Sequence, residues 1–341
     1  MILSASSIRA YNVYGDSYKL FKQQLISAIL SIIAMFLFMN IDYHVYERFA
    51  KLIMILTLLI LILVLVPGIG RLAGGSRRWI GLGPIGVQPS ELAKLGIVIY
   101  LSYFVSYKRD RIESFSRGVI PPVIMMGIVF VLILAEPDLG TAVSIAGTFI
   151  IILFVAGVRF SHLFLLAITG LPMVMYFILS EDYRRERLFA FLDPWADPLD
   201  TGYHIIQSLL ALGSGGLFGV GLGNSHQKFL YLPEPGTDFI FAVLGEEIGL
   251  LGTSLVVILY FLLSWRGFKV ALYASDLFGS ILAIGISSMI ILQAIINIGV
   301  VTASMPITGI TLPFISYGGS SLIIMSSGIG ILLNISRNTG E

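Results

Sequence analysis

The chain has 341 residues, 57% of them apolar and only 12% charged, with a formal net charge of +1 and no cysteine. A charged fraction about half that of an ordinary soluble domain excludes a large water-soluble protein. Near-neutral charge argues against a nucleic-acid partner, and the lack of thiols removes disulfides, a thiolate nucleophile and Cys-based metal sites.

Apolar runs of about 20 residues, long enough to cross the hydrocarbon layer, recur along the chain. They predict one all-α, polytopic integral-membrane domain over residues 1–341. The opening MILSASSIRAYNVYGDSYK is polar and lacks the apolar centre of a secretory signal. Spans are predicted at 21–40 and 50–68, the second ending at Pro67-Gly68. A loop rich in glycine and arginine follows, GIGRLAGGSRRWIGLGPIGVQPSELAK, and the third span, 90–106, begins at its end. Pro89 suits a first helical position, and Glu91 suits the positive end of the helix dipole. After a charged connector, YKRDRIESFSR, come spans at 118–135, 139–157 and 160–180, the first two separated only by Glu136, Pro137 and Asp138. A long loop, 181–237, leads to Asp238. The remaining spans are 239–264, 277–300 and 318–335, so nine are visible.

Residues 204–223 resist this scheme. They are apolar enough to span, yet hold Gly213, Gly215, Gly216, Gly219, Gly221 and Gly223. A re-entrant or surface-lying segment is expected, since such backbone at membrane depth needs protein or a cavity around it. The glycines serve close backbone packing, not a phosphate loop, because no Lys-Ser/Thr follows them. Lys and Arg in the short loops weakly favour placing the 107–117 connector in the cytoplasm. Arg77, Arg78 and Lys94 then fall on the outer side, where an anionic ligand would explain them.

Residues 219–249, GVGLGNSHQKFLYLPEPGTDFIFAVLGEEIG, crowd ionisable groups against the mouth of an apolar run. Lys228, Glu234 and Asp238 precede the span, and Glu246 and Glu247 lie inside it. Pro233 and Pro235 stiffen the approach. A carboxylate at a membrane boundary is costly without a partner, which marks it as a functional candidate. As a bare residue, however, Asp238 reads better as a helix N-cap, a role Thr237 also fits.

Five motifs settle that balance. RWIGLGPIGVQPSELAKL, EPDLGTA, the YRRERLFAFLDPWADPLDTGYH run, the 219–249 stretch and NIGVVTASMPITGITLPFISYGGSSL together resemble the SEDS family (shape, elongation, division and sporulation) over nearly the whole chain. The TGITLPFISYGGSSL and LPEPGTDFIFAV wording leans toward its FtsW/SpoVE branch and away from RodA. The resemblance implies a peptidoglycan glycosyltransferase of the bacterial plasma membrane. Such an enzyme polymerises lipid II on the outer face, beside a class B penicillin-binding protein and other divisome or elongasome proteins. The family usually has ten spans, and MILSAS is similar to the outer end of its first, so the expectation is either a clipped chain or a start placed too far downstream. Two positions depart from the family pattern: Glu136 stands where a neutral Gln usually precedes Pro-Asp, and His204 where Gln usually follows Gly-Tyr.

The resemblance puts the catalytic aspartate on Asp238. Glycosidases need two carboxyls because a sugar alkoxide leaves badly. A lipid diphosphate leaves well, so one general base for the acceptor's 4-hydroxyl suffices, and Asp238 is expected to be it. Lys94, ending its family motif and three residues after Glu91, is the first expected contact for the diphosphate. Taken alone it reads as a snorkelling residue paired with Glu91. Arg77, Arg78 and Lys228 follow it as substrate contacts, although loop residues touching lipid phosphates look the same. On a continuous helix Glu246 lies about 80° from Asp238 and Glu247 about 180°. Glu246 is thus expected to share the Asp238 cavity, and one of the two acids to pair with Lys or Arg. Asp138 is the second carboxylate to consider, and a Pro-Asp turn accounts for it without catalysis. Arg184 and Arg187 are read as structural, and Gln293 and Asn297 as joining helices. No protein metal site is expected, since His44, His162, His204 and His226 are scattered. A divalent cation carried on the substrate diphosphate is the only cofactor in view. Rival readings are a transporter of the lipid-linked precursor, disfavoured by the lack of an internal repeat, and a scaffold that recruits the penicillin-binding protein.

Overall fold

In the computed structural model, residues 1–73, 76–81, 86–228, 232 and 234–338 are described. Twelve helices and one hairpin follow in order: α1 (Ile2–Tyr14), α2 (Lys19–Asn40), α3 (Tyr43–Leu65), β1 (Arg71–Ala73), β2 (Ser76–Trp79), α4 (Pro89–Tyr107), α5 (Ile120–Ala135), α6 (Leu139–Val155), α7 (Phe160–Leu179), α8 (Asp182–Leu192), α9 (Tyr203–Gly215), α10 (Ile240–Tyr273), α11 (Leu277–Val301) and α12 (Gly319–Arg337). A π-type turn, Phe115–Val119, leads into α5. The protein is a multi-pass membrane protein. Among the described residues seven helices are long and apolar enough to cross a bilayer: α2, α3, α5 with its entry turn, α7, α10, α11 and α12. At 17 residues α6 is shorter, and α4 carries Glu91 and Lys94 in its first turns.

Several expectations are corrected. The second span starts at Tyr43, where Asp42 caps the helix by accepting from the His44 amide. The stretch 181–237 is not one loop, because it holds α8 and α9. At 13 residues α9 covers only the first part of 204–223, about 20 Å of helix, which falls short of the hydrocarbon thickness. The seventh span runs on to Tyr273 but is broken at Gly249, whose φ of 67° and ψ of −168° are not helical. Pro233 lies outside the described residues.

The chain forms two compact units. The first comprises residues 1–26, 167–261 and 293–318. It contains the break in α10. A break frees helix carbonyls and amides that must find partners when buried. The glycine-rich segment after α9 supplies them. Val220 and Gly221 donate to the carbonyls of Glu246 and Glu247 at 2.9 and 3.1 Å, and Leu250 and Leu251 donate to those of Gly216 and Leu217 at 2.9 and 3.2 Å. The approach is so close that a Cβ at Gly215 would overlap the Gly245 carbonyl, and one at Gly219 the Glu247 carbonyl.

The second unit comprises residues 27–166, 262–292 and 319–341. α4 is its buried axis and packs along α3, with Gly96 against Thr57. Asn334 of α12 accepts from the Tyr43 amide and donates to the Met39 carbonyl, both at 2.9 Å, which fixes the turn between α2 and α3.

Candidate active site

The residues singled out from sequence divide between the two units. Asp238, Lys228 and Glu246 belong to the first, and Arg77, Arg78, Glu91 and Lys94 to the second.

Asp238 lies in the turn just before α10, closed by the Thr237 and Phe239 amides donating to the Glu234 carbonyl at 3.2 and 3.4 Å. Its backbone is gripped from two sides. Buried Asn297 of α11 donates to the Asp238 carbonyl at 2.8 Å and to the Ile310 carbonyl at 2.7 Å. Ser316 donates to the Thr237 carbonyl at 2.6 Å, and its hydroxyl accepts from the Leu312 amide. The side chain of Asp238 is half-buried. Gly309, at a φ of 75°, presents bare backbone to it: a Cβ there would lie 3.6 Å from Oδ2. Asn297, Ser316 and Gly309 thus build the carboxylate's surroundings. Sequence reading assigned Asn297 to joining helices and passed over the other two, because their partners are distant in the chain. His204 of α9 stacks on Phe239, the next residue, with centroids 6.1 Å apart. Burial and then Arg187 hold its imidazole below the usual range, outweighing Asp200, so it stands neutral at physiological pH.

Glu246 does not share that setting. The angular argument assumed a helix running from Asp238, whereas α10 begins at Ile240. The Glu246 carboxylate is fully buried and accepts from the Ser225 hydroxyl at 2.5 Å and the His226 and Gln227 amides at 2.8 and 3.3 Å. Lys228 is likewise buried and engaged within the protein. Its ammonium meets Glu247 at 3.1 Å, the Ser4 hydroxyl at 2.9 Å and the Gly223 carbonyl at 2.5 Å. Ser4 also donates to Glu247. The expected acid–base pairing therefore falls on Glu247, and the 223–228 segment is clamped at both ends.

In the second unit Lys94 is buried and pairs with Glu91 at 2.7 Å one turn away on α4. At the start of the same helix, Gln88 and Ser90 donate to Asp138 at 3.1 and 3.3 Å, and Asp138 caps α6 by accepting from the Thr141 amide at 3.1 Å. Asp138 is thus the junction of two helix N-termini. Arg78 of β2 donates to the carbonyls of Glu136 and Pro137 at 2.7 and 2.5 Å, tying the hairpin to the turn between α5 and α6. Arg77, its neighbour on β2, is partly exposed. Glu136 is fully buried and neither carboxyl oxygen has a hydrogen-bond partner. Burial, then the nearby Asp138, pushes that carboxyl up to about 8, against the pull of Arg78. Among the described residues no group of three or more His, Cys, Asp or Glu comes together to hold a metal.

Comparison with known proteins places this geometry. Stage V sporulation protein E of Bacillus subtilis is 50% identical over 337 residues, covering 99% of this chain and 92% of that protein. The probable peptidoglycan glycosyltransferase FtsW of Geobacter metallireducens is 44% identical over 336 residues, covering 98% and 90%. A solved structure described as "Structural coordination of polymerization and crosslinking by a peptidoglycan synthase complex" contains a chain that superposes with a TM-score of 0.79 at 31% identity, covering 99% of this chain and 95% of that one. The crystal structure of the rod shape determining protein RodA of Thermus thermophilus superposes at 0.71 with 30% identity, covering 99% and 94%. The family model described as "Cell cycle protein", which spans FtsW, RodA and SpoVE, matches residues 1–341, and the chain belongs to that family.

Proposed function

We propose that Asp238 is the general base with which this chain, a peptidoglycan glycosyltransferase, polymerises lipid II. The acceptor's GlcNAc 4-hydroxyl oxygen attacks the anomeric carbon of the donor's MurNAc and forms the new β-1,4 bond. The bond from that carbon to the lipid diphosphate breaks, its electron pair leaves on the diphosphate, and the hydroxyl proton passes to the Asp238 carboxylate. Attack opposite the leaving group inverts the donor's configuration.

The observation that carries this reading is the hold on Asp238. Asn297 and Ser316 fix the backbone around it, while the side chain stays half-buried against the bare backbone of Gly309. A base needs that combination of fixed position and partial desolvation. Lys94, with Glu91 beside it, is proposed to receive the diphosphate, aided by Arg77 and Arg78. Lys228 and Glu246 are read as structural supports of the Asp238 segment. A divalent cation is assigned to the diphosphate, not to protein ligands. The setting proposed is the bacterial plasma membrane with Asp238 toward the outer face, in division or sporulation, beside a class B penicillin-binding protein and other divisome or elongasome membrane proteins.

The test is strand synthesis from lipid II by purified protein with such a partner. Native protein makes glycan strands, and Asp238→Asn of equal thermal stability makes at least about 100-fold fewer. Full activity in that variant would remove the base assignment, and movement of lipid II across vesicles without polymer would favour transport.

A further inference from the structure

We propose that a cleft where the connector after α4 meets the turn before α7 binds the headgroup of one membrane phospholipid, a phosphoethanolamine, with its phosphate on Arg109 and Arg159 and its ammonium on Asp110 and Glu113. The proposal is independent of the reading of Asp238. The cleft lies wholly within the second unit and has a volume of about 560 Å³, inside the range of roughly 300–1,000 Å³ usual for small-ligand sites. It is separate from the place proposed for the diphosphate. α4 carries Lys94 near its start and ends at Tyr107, about 20 Å further along the helix axis.

Position selects a lipid. The cleft stands between the end of α4, the entry to α5 and the start of α7. α5 with its entry turn and α7 are long and apolar enough to cross a bilayer. Aromatic side chains at the ends of such helices mark the headgroup level. Tyr107, which closes α4, is 69% exposed, and Phe160, which opens α7, is 75% exposed. A cleft level with that belt opens where headgroups lie.

Charge selects the headgroup. Arg109, Arg159, Asp110 and Glu113 line the cleft, two guanidiniums against two carboxylates. A purely anionic headgroup would be repelled by the carboxylates, and a simple cation by the guanidiniums. A headgroup that carries phosphate and ammonium meets each sign with its opposite. Among the described residues none pairs with the side chains of Arg109 and Asp110, and both are exposed. Arg159 donates to Glu113 at 3.1 and 3.3 Å, but these side chains are 63% and 65% exposed. An ion pair so open contributes little, so a phosphate and an ammonium replace it at small cost. The wall behind these charges is already formed. Phe115, at the start of the turn into α5, packs on the His162 ring of α7 with centroids 5.1 Å apart. That contact joins the two segments that carry the charges, so little ordering is needed when a ligand enters.

The test is lipid titration of the full chain in detergent, read by native mass spectrometry as the affinity for the first bound lipid. Native protein is expected to bind phosphatidylethanolamine about tenfold more tightly than phosphatidylglycerol with the same acyl chains. Arg109→Gln combined with Arg159→Gln should weaken phosphatidylethanolamine binding about tenfold, the worth of one lost hydrogen bond to a charged group. Asp110→Asn combined with Glu113→Gln should erase the preference by tightening phosphatidylglycerol binding. All four side chains are exposed, so these variants keep the fold. Equal affinity of native protein for the two lipids, or a preference that survives both double variants, overturns the site. Soluble glycerophosphoethanolamine that bound as tightly as the lipid would overturn the lipid as occupant.

Discussion

Asp238 and Glu246 are carboxylates of one segment, held in opposite ways. Asp238 is gripped through its backbone, by Asn297 and by Ser316 acting on Thr237, and its side chain stays half-buried. Glu246 is gripped through its carboxylate, by three donors from residues 225–227. The two residues differ in what the described contacts hold: the backbone around Asp238 is fixed from two sides, while the Glu246 carboxylate itself fastens the 225–227 segment.

The largest expected effect breaks the comparison outright. Asp238→Asn should lower strand synthesis by about 10²–10⁴-fold, the usual worth of a general base, with an unchanged unfolding temperature. Glu246→Gln should do the reverse, lowering stability while turnover per folded molecule stays near native. Rates normalised to folded protein check both, and exchanged outcomes would exchange the roles.

Next comes the clamp below Glu246. Lys228→Met or Glu247→Gln alone leaves a buried partner behind and should cost about 3–5 kcal/mol. Lys228→Met combined with Glu247→Leu should recover much of that, because no charge is then stranded. Unfolding in detergent measures all three, and additive losses would mean that the pair is not coupled.

A smaller effect tests the glycine contact that carries both acids. Gly219→Ala places a methyl on the Glu247 carbonyl at a positive φ and should cost about 1–3 kcal/mol. Gly213→Ala meets nothing within 4 Å and should be neutral or slightly stabilising, since alanine favours helix. Equal melting of the two variants would refute the close approach.

A further effect depends on pH. Glu136 has no hydrogen-bond partner, and its carboxyl is pushed up to about 8 by burial and Asp138. Between the ordinary carboxylate range and that value, the native protein keeps a proton that the unfolded chain has released. Its contribution is therefore fully present at low pH and is lost as pH rises, by at most about 1.4 kcal/mol per unit, until the native group ionises. Glu136→Gln should match the native melting temperature near pH 5 and exceed it increasingly toward pH 8. A constant difference across that range would show that the carboxyl is ionised throughout.

Much of this was legible in the chain. Apolar run length gave the helices α2, α5, α7, α11 and α12 nearly at their ends, because the bilayer sets one length for every crossing. Pro89 marks a helix start by local geometry that needs no partner, whereas the cap at Asp42 went unread and the second span was placed too late. The motif around Asp238 singled out the carboxylate proposed as the base. Misjudgements arose where distant segments meet. The sequence of α10 reads as one apolar run, and nothing local in it reveals a break at Gly249, since the broken backbone is tolerated only because residues 216–221 supply its hydrogen bonds. Lys228 looked like a cation for substrate because its partners, Ser4 and Glu247, lie far from it in the chain.

Sequence alone thus determined what is set by composition and neighbours along the chain: a membrane protein of this family, its principal helices, and an acid at the mouth of one of them. Tertiary structure alone decided which charges are spent inside the protein and on which partners. The physical reason is that burying an ionised group is affordable only with a partner, and partners are chosen by folding, not by order in the chain.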